Sequence, residues 1–402
     1  VGDASASDAL VISRWNLIPD QGIGDGIFHV GVVAFHSHGM DRVEFSLNNG
    51  PWISISERSV NPRTNVEEYF VTLDGSKYSE NELQIKAVCY PKNGKTFVHN
   101  SIRLFKNDPG KIVQLPSGDH DLAVLEDTHK PPHDGWLVFK PEDGVSQDSC
   151  RIVGGTRFWG GRYKFEGLTI KIGGADDEFA YGAQGEGKNS WFWYDKCMVI
   201  GNGPVDRSRW MNHNWDKTFA TDSKFTKLKV VFHGSSGQLL CRNCEIYDVY
   251  EDVFRAFGLV TGTSVKDLVR PEEHFHPDLL DFANTWIQNN VIFHNCNFDN
   301  VQAQGFAGGE IENTAFVDVK GNFPGWSSMQ ISGKVENLFM QNTDLIGGAR
   351  FRNLKDEECK NIVFRKCKLG WQEPFEPALY KNPSYSNIHE HPAMIWTDEV
   401  VK

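Results

Sequence analysis

The chain has no apolar run approaching the ~20 residues of a membrane span, which predicts that it does not insert into a bilayer. It also has no basic patch. Lys and Arg number 41 against 53 Asp and Glu, leaving a net charge of −12. That balance argues against nucleic acid, whose phosphates need Lys and Arg contacts, and against unaided binding of polyanions unless a bound cation reverses the local sign. A zinc site needs more ligands than the lone Cys241-x-x-Cys244 pair offers, and no second pair exists. On a strand, positions three apart face opposite sides and lie about 10 Å apart, too far for a disulfide. All eight cysteines are therefore expected to be free, buried and reduced. Helical periodicity is scarce, with at most a turn expected near Asp206–Trp210. No recognisable leader opens at Val1, so location has to be inferred from architecture.

What the chain does have is a recurring phrase: a small or polar residue, Cys or Thr, any residue, then an apolar one. It occurs at Lys196-Cys197-Met198-Val199, Asn243-Cys244-Glu245-Ile246, Asn295-Cys296-Asn297-Phe298, Asn313-Thr314-Ala315-Phe316, Asn342-Thr343-Asp344-Leu345 and Lys366-Cys367-Lys368-Leu369. The Cys/Thr positions step by 47, 52, 18, 29 and 24 residues, and the two longest steps read as double turns of one coil. A period of roughly 20–29 residues signals a solenoid. Strand-like stretches such as Val291-Ile292-Phe293 surround each phrase, and stacked strands place like residues about 4.8 Å apart. The fold that follows is a parallel β-helix with a ladder of Cys, Thr and Asn inside it.

Residues 10–106 differ in texture. Val43, Phe45 and Leu47 alternate with polar residues, Asn48-Asn49-Gly50 marks a hairpin turn, and Leu83, Ile85, Ala87 and Cys89 alternate again. About seven short strands in about 100 residues suggest a β-sandwich. The expected organisation is an all-β chain: a sandwich over 1–107, a linker at Asn107-Asp108-Pro109-Gly110, a β-helix over 111–370 and a cap over 371–402.

One stretch departs from the bland repeat. Glu251-Asp252-Val253-Phe254-Arg255 is followed one coil later by His274-Phe275-His276-Pro277-Asp278 and Asp281; the next coil is expected to bring His294, and the one after it Gln304-Gly305. At 26 residues, the offset from Asp252 to Asp278 is about one turn, so these side chains are candidates for neighbours on one outer face. Asp, His, Arg and Gln held on a rigid sheet are what saccharide cleavage needs. The bland alternative is a solvated polar face. A second candidate is aromatic. Trp191 and Trp193 read as core, while Trp210 and Trp215 read as sugar-stacking residues in a turn-rich loop, with the adjacent Arg209 able to hydrogen-bond the sugar.

The stretch Asp41–Trp52 resembles the immunoglobulin-like modules appended to secreted bacterial carbohydrate enzymes. The repeat region resembles the right-handed parallel β-helix superfamily of pectate-lyase-like and polygalacturonase-like enzymes and phage tailspikes. His276-Pro277-Asp278 with Gln304-Gly305 is similar to an HPD…QG pattern of secreted β-helix proteins, whereas the Gly-His-Gly element of polygalacturonases is absent. The resemblance implies a secreted or cell-surface protein that cleaves a polysaccharide, with a non-catalytic glycan-binding adhesin as the alternative. In a hydrolase, Asp252 and Asp278 would be the paired carboxylates. In a lyase, His276 would be the base, Arg255 the group neutralising a uronate, and Ca²⁺ could bind at Asp252 and Asp278. Asp281 joins this catalytic set. Gln304, Arg209, Trp210 and Trp215 are the expected substrate contacts. An oligosaccharide or polysaccharide is the expected partner, and oligomeric state is left open.

Overall fold

The computed structural model describes residues 9–158, 160–172, 180–182, 190–201, 203, 217–268, 278–281, 288–324, 328–347, 349–352, 359–370, 385–386 and 393–397. Two antiparallel sheets form the N-terminal part. One orders Ile12–Trp15, Ile27–Phe35, Val66–Asp74 and Ser59–Asn61; the other is built around Met40–Leu47 and Glu82–Pro91. Alternation dictates this arrangement: Val30, Val32, Phe45, Leu83, Ile85 and Leu104 are all shielded and form one core. Asn48 and Asn49 take left-handed φ values of 47° and 57°, which lets the hairpin between Met40–Leu47 and Ile53–Ile55 follow the twist of its strands.

From Lys111 onward the chain winds into a right-handed parallel β-helix. Each coil visits up to three faces. The first face stacks strands from Lys111–Leu115 through Gly161–Glu166, Ser190–Asp195 and Gln288–His294 to Lys360–Arg365 and Met394–Thr397. The second is an 11-stranded ladder from Gly118–Asp121 to Lys368–Gly370. The third face carries Asp278–Asp281, Gln304–Gly308, Met329–Ser332 and Ala349–Arg352. The long strands Val230–Arg242 and Asp252–Thr261 run through the bend, joining third face to first. Inside the tube, aromatic side chains stack rung on rung. Phe165 and Tyr194 lie 5.5 Å apart, Phe232 and Phe254 5.8 Å, and Phe293 and Phe316 5.4 Å, each pair stacked with nearly parallel rings.

The corner between first and second faces explains the repeated phrase. Lys196, Asp222, Asn243, Asn295, Asp318, Asn342 and Lys366 all have left-handed φ between 49° and 57°, with Gly262 at 59° in the same place. The residue after each turns into the tube: Cys197, Ser223, Cys244, Thr263, Cys296, Val319, Thr343 and Cys367 are buried. The two long steps in the sequence are therefore double turns, split at Ser223 and Thr263. Thr314 is buried too but belongs to a different stack. It lies within the first-face strand Ile311–Val317, behind a second left-handed row formed by Asn290, Asn313, Asn337 and Asn361. Its expected place in the Cys/Thr ladder is corrected accordingly.

Two further expectations change. The chain makes an α-helix at Leu122–Thr128, where no helix was expected; the turn expected near Asp206–Trp210 lies outside the described residues. Asp121 caps the helix by accepting from the Ala123 and Val124 amides, and Leu122 and Leu125 anchor it in the core. Cys241 and Cys244 do not face opposite sides, because the left-handed corner at Asn243 lies between them and sends both into the tube. All eight cysteines are free and buried. Burial pushes the Cys197 and Cys296 thiols up to about 12, which makes them inert fillers.

The sandwich packs along the outside of the first face. Ile12, Val33, Phe35 and Val66 share one buried cluster with Trp136, Trp193, Phe219, Leu240, Ile292 and Phe339. Trp191 and Trp193 belong to this junction, whereas Phe192 and Tyr194, alternating with them, fill the tube. Polar ties run the length of the contact. Ser13 and Asn290 exchange hydrogen bonds, the Asn337 amide donates to the Leu10 carbonyl at 2.7 Å, and Arg365 donates to the Ser37 carbonyl at 2.7 Å.

Candidate functional site

The third face brings the polar stretch together by register. Val230 pairs with Asp252, Phe254 with Leu280, and Leu280 with Phe306. Asp278 pairs with Gln304 on the same ladder. Asp252, Asp278 and Gln304 thus stand at equivalent positions on three consecutive rungs, one strand spacing apart. Gln304 is one coil beyond Asp278 and not the expected two, because the third-face strand Gln304–Gly308 follows the first-face strand Gln288–His294 within the same coil. The rigidity comes from the buried phenylalanines two residues along, Phe254 and Phe306.

Around Asp252 the charges are tightly paired. The Arg255 guanidinium meets the Asp252 carboxylate and lies 3.3 Å from Glu251, whose other oxygen is 3.0 Å from the Lys229 ammonium. Asp252 is completely buried, and Arg255 is mostly so. An outer-face position exposed to substrate was the expectation for Asp252; instead it sits behind Arg255. Its surroundings suit an anchor for the guanidinium, since a buried carboxylate that lost its partner would be strongly unfavourable. They do not suit a cation: the carboxylate is already neutralised by Arg255, and among the described residues no group of three His, Cys, Asp or Glu is gathered for a metal.

Gln304 is half-buried, and its side-chain nitrogen is shielded from water with no hydrogen-bond partner among the described residues. A buried amide without a partner is costly, and a ligand atom could satisfy it. Asp278 and Asp281 are placed by their strand, Asp278–Asp281. His274, His276, Arg209, Trp210 and Trp215 lie outside the described residues. Lys229 was missed in the sequence because it lies a full coil before Arg255 and only the third-face register unites them. His294, a packed or capping residue by its apolar surroundings, is buried against Phe35 of the sandwich, and burial lowers it to about 4.

A scan against known protein families finds no match, and neither does a comparison with curated proteins. Among solved structures the chain is similar to a family 28 exopolygalacturonase from Yersinia enterocolitica, at 10 % identity and a TM-score of 0.26, covering 90 % of this chain and 80 % of that one. It is also similar to a pectate lyase from Pectobacterium carotovorum, at 8 % identity and a TM-score of 0.17, over 89 % of this chain and 99 % of that one. Likenesses this distant carry no argument about chemistry, and the β-helix stands on the chain's own strand ladder.

Proposed function

We propose that this protein cleaves a polysaccharide on the third face of its β-helix. The reading rests on one observation: Asp252, Asp278 and Gln304 occupy consecutive rungs of a rigid ladder beside Arg255. With Asp252 buried on Arg255, the acid–base work falls to Asp278, Asp281 and His276. Asp252 is then a positioning residue that holds the guanidinium, and Gln304 offers an amide to a sugar hydroxyl. In hydrolysis, one carboxyl protonates the glycosidic oxygen while another activates water or attacks the anomeric carbon. In elimination, a base such as His276 removes the proton next to a uronate carboxylate, whose charge is then neutralised by a group other than Arg255, since Arg255 is already paired with Asp252 and Glu251. Either chemistry fits a secreted or cell-surface protein.

A second reading has its own support. Glu251, Asp252, Lys229 and Arg255 cancel one another's charge, as in a structural ion network. A non-catalytic glycan-binding adhesin would need no more than that. A panel of acidic and neutral polysaccharides separates the two: release of reducing ends marks an enzyme, and ultraviolet absorbance of an unsaturated product marks a lyase. Asp278→Asn keeps the shape and removes the acid–base group, so turnover should fall by roughly 10²–10⁴. Cleavage unaltered in Asp278→Asn, or no cleavage of any polymer by the intact protein, would overturn the reading.

A further inference from the structure

Between the sandwich and the first face lies a cavity of about 490 Å³ that the third-face chemistry does not use. That is within the range of small-ligand sites, roughly 300–1,000 Å³. Its charge runs against the rest of the molecule. The chain carries −12 overall, yet Arg14, Arg103, Arg162 and Lys217 line this cavity, and Asp20 is the one carboxylate among the lining residues. Asp20 is already shared: it lies 2.6 Å from Arg103 and 2.8 Å from Arg162. Lys217 is left over. Its ammonium sits 4.4 Å above the Trp191 ring, and among the described residues it has no hydrogen-bond or ion-pair partner. Burial lowers its pKa, Asp20 partly restores it, and Arg162 lowers it further, so the ammonium is held where it is short of negative charge. Arg162 lies over the same indole at 4.8 Å.

We infer that this junction cleft binds an anionic saccharide unit, its carboxylate or sulfate on Lys217 and its hydroxyls on polar residues at the rim such as Gln238 and Asn100. An indole backed by cations offers an apolar surface with fixed positive charge, and the surrounding amides supply hydrogen bonds without competing charge. The rigid sheets on both sides hold the groups in place before a ligand arrives, which reduces the ordering cost of binding. The inference rests on the polysaccharide reading and narrows it to acidic glycans, with a binding site separate from the cleavage face. It also qualifies the sign argument from composition: a net-negative chain can take a polyanion where two modules meet and concentrate their cations.

The test is titration of the full chain with digalacturonate and with a sulfated chondroitin disaccharide, using a neutral galactose disaccharide and inorganic sulfate as controls. The two acidic probes tell a carboxylate from a sulfate. At least one should bind, weaken as salt rises, and lose at least tenfold in affinity in Lys217→Met. Trp191→Leu, a second variant on the same cavity, should weaken binding as well, and thermal unfolding of both variants shows that they are folded. Equal binding of the neutral disaccharide, sulfate binding as tight as the sugars, failure of both acidic probes, or unchanged affinity in folded Lys217→Met would each overturn the inference. Asp278→Asn should leave this binding intact. Loss of cleavage with binding retained therefore bears on the third-face reading alone, and cleavage retained without cleft binding removes only the cleft.

Discussion

A carboxylate cut off from water is out of a substrate's reach but well placed to anchor a cation, and Asp252 is such a residue. It is 0 % exposed and engages Arg255, which also reaches Glu251. Removing one member of a buried pair leaves the other charge uncompensated, a loss of typically 3–5 kcal/mol. Arg255 is 19 % exposed and keeps Glu251, so the lower end applies. Asp252→Ala is expected to destabilise the protein by about 3 kcal/mol in urea unfolding. A loss under about 1 kcal/mol would mean that the pair behaves like a surface ion pair and that Asp252 is not the anchor described. The clustering of Glu251, Asp252 and Arg255 was legible in the sequence because they are adjacent in it. Their burial was not, since that depends on which segments cover the strand from outside. Spacing one turn apart says which residues are neighbours, and the packing around them says which can meet a substrate.

At the scale of the element, the corner between first and second faces is the unit that repeats. Its turning residue must adopt left-handed φ, which suits Asn and Gly and costs other residues roughly 1–2 kcal/mol. Asn243, Asn295 and Asn342 obey that preference, while Lys196 at φ 55° and Lys366 at φ 52° do not. Lys196 is exposed, so its side chain contributes little packing. Lys196→Gly should therefore stabilise the protein by about 0.5–1 kcal/mol, the relieved strain less the extra freedom glycine has when unfolded. Equilibrium denaturation measures it, and a loss of stability would show that the Lys196 side chain does more than turn the corner. These corners made the fold readable, because Asn, Cys and Thr recur there in one phrase. Coils turning at Asp222-Ser223 and Asp318-Val319 escaped the phrase, since the backbone requirement accepts several residue types and the inward position is not restricted to Cys or Thr, whereas Gly262-Thr263-Ser264-Val265 fits the phrase and turns in the same row. Thr314 matched the phrase for another reason: the first face carries its own left-handed row at Asn290, Asn313, Asn337 and Asn361. There Asn337 donates to Asn313 at 2.7 Å and also to the Leu10 carbonyl of the sandwich, so this row serves docking as well as turning.

At the scale of the whole molecule, the two modules meet through groups that no stretch of sequence displays together. Outward apolar residues such as Trp193 and Phe219 look like any alternate position of a strand until the sandwich covers them. The junction also buries a titratable group. Glu68 is 0 % exposed, accepts from Asn61 at 2.6 Å and Thr64 at 2.9 Å, and presses so closely on Gly31 that a Cβ there would lie 2.2 Å from its carboxyl carbon. Arg242 of the β-helix donates to Asn16 of the sandwich at 2.8 Å beside it, and Arg63 is the other nearby cation. Burial raises the Glu68 carboxyl from 4.5 to about 7, against the pull of those hydrogen bonds and of Arg242. The folded protein then holds a proton that the unfolded chain has released between those two values. Stability from this group is greatest below pH 4.5 and declines as pH rises toward 7, by up to roughly 3 kcal/mol. His294 acts with the opposite sign: lowered from 6.5 to about 4, it makes the fold gain stability as pH rises through that interval. A wild-type profile alone would blend the two, so the measurement is the difference between wild type and Glu68→Gln in urea unfolding from pH 4 to 8. Glutamine mimics the protonated acid, and the wild type should lose ground to it steadily between pH 4.5 and 7 and then run parallel. A difference that does not change with pH would show that Arg242 and Arg63 keep Glu68 ionised, and that the junction is held by an ion cluster instead of a protonated acid.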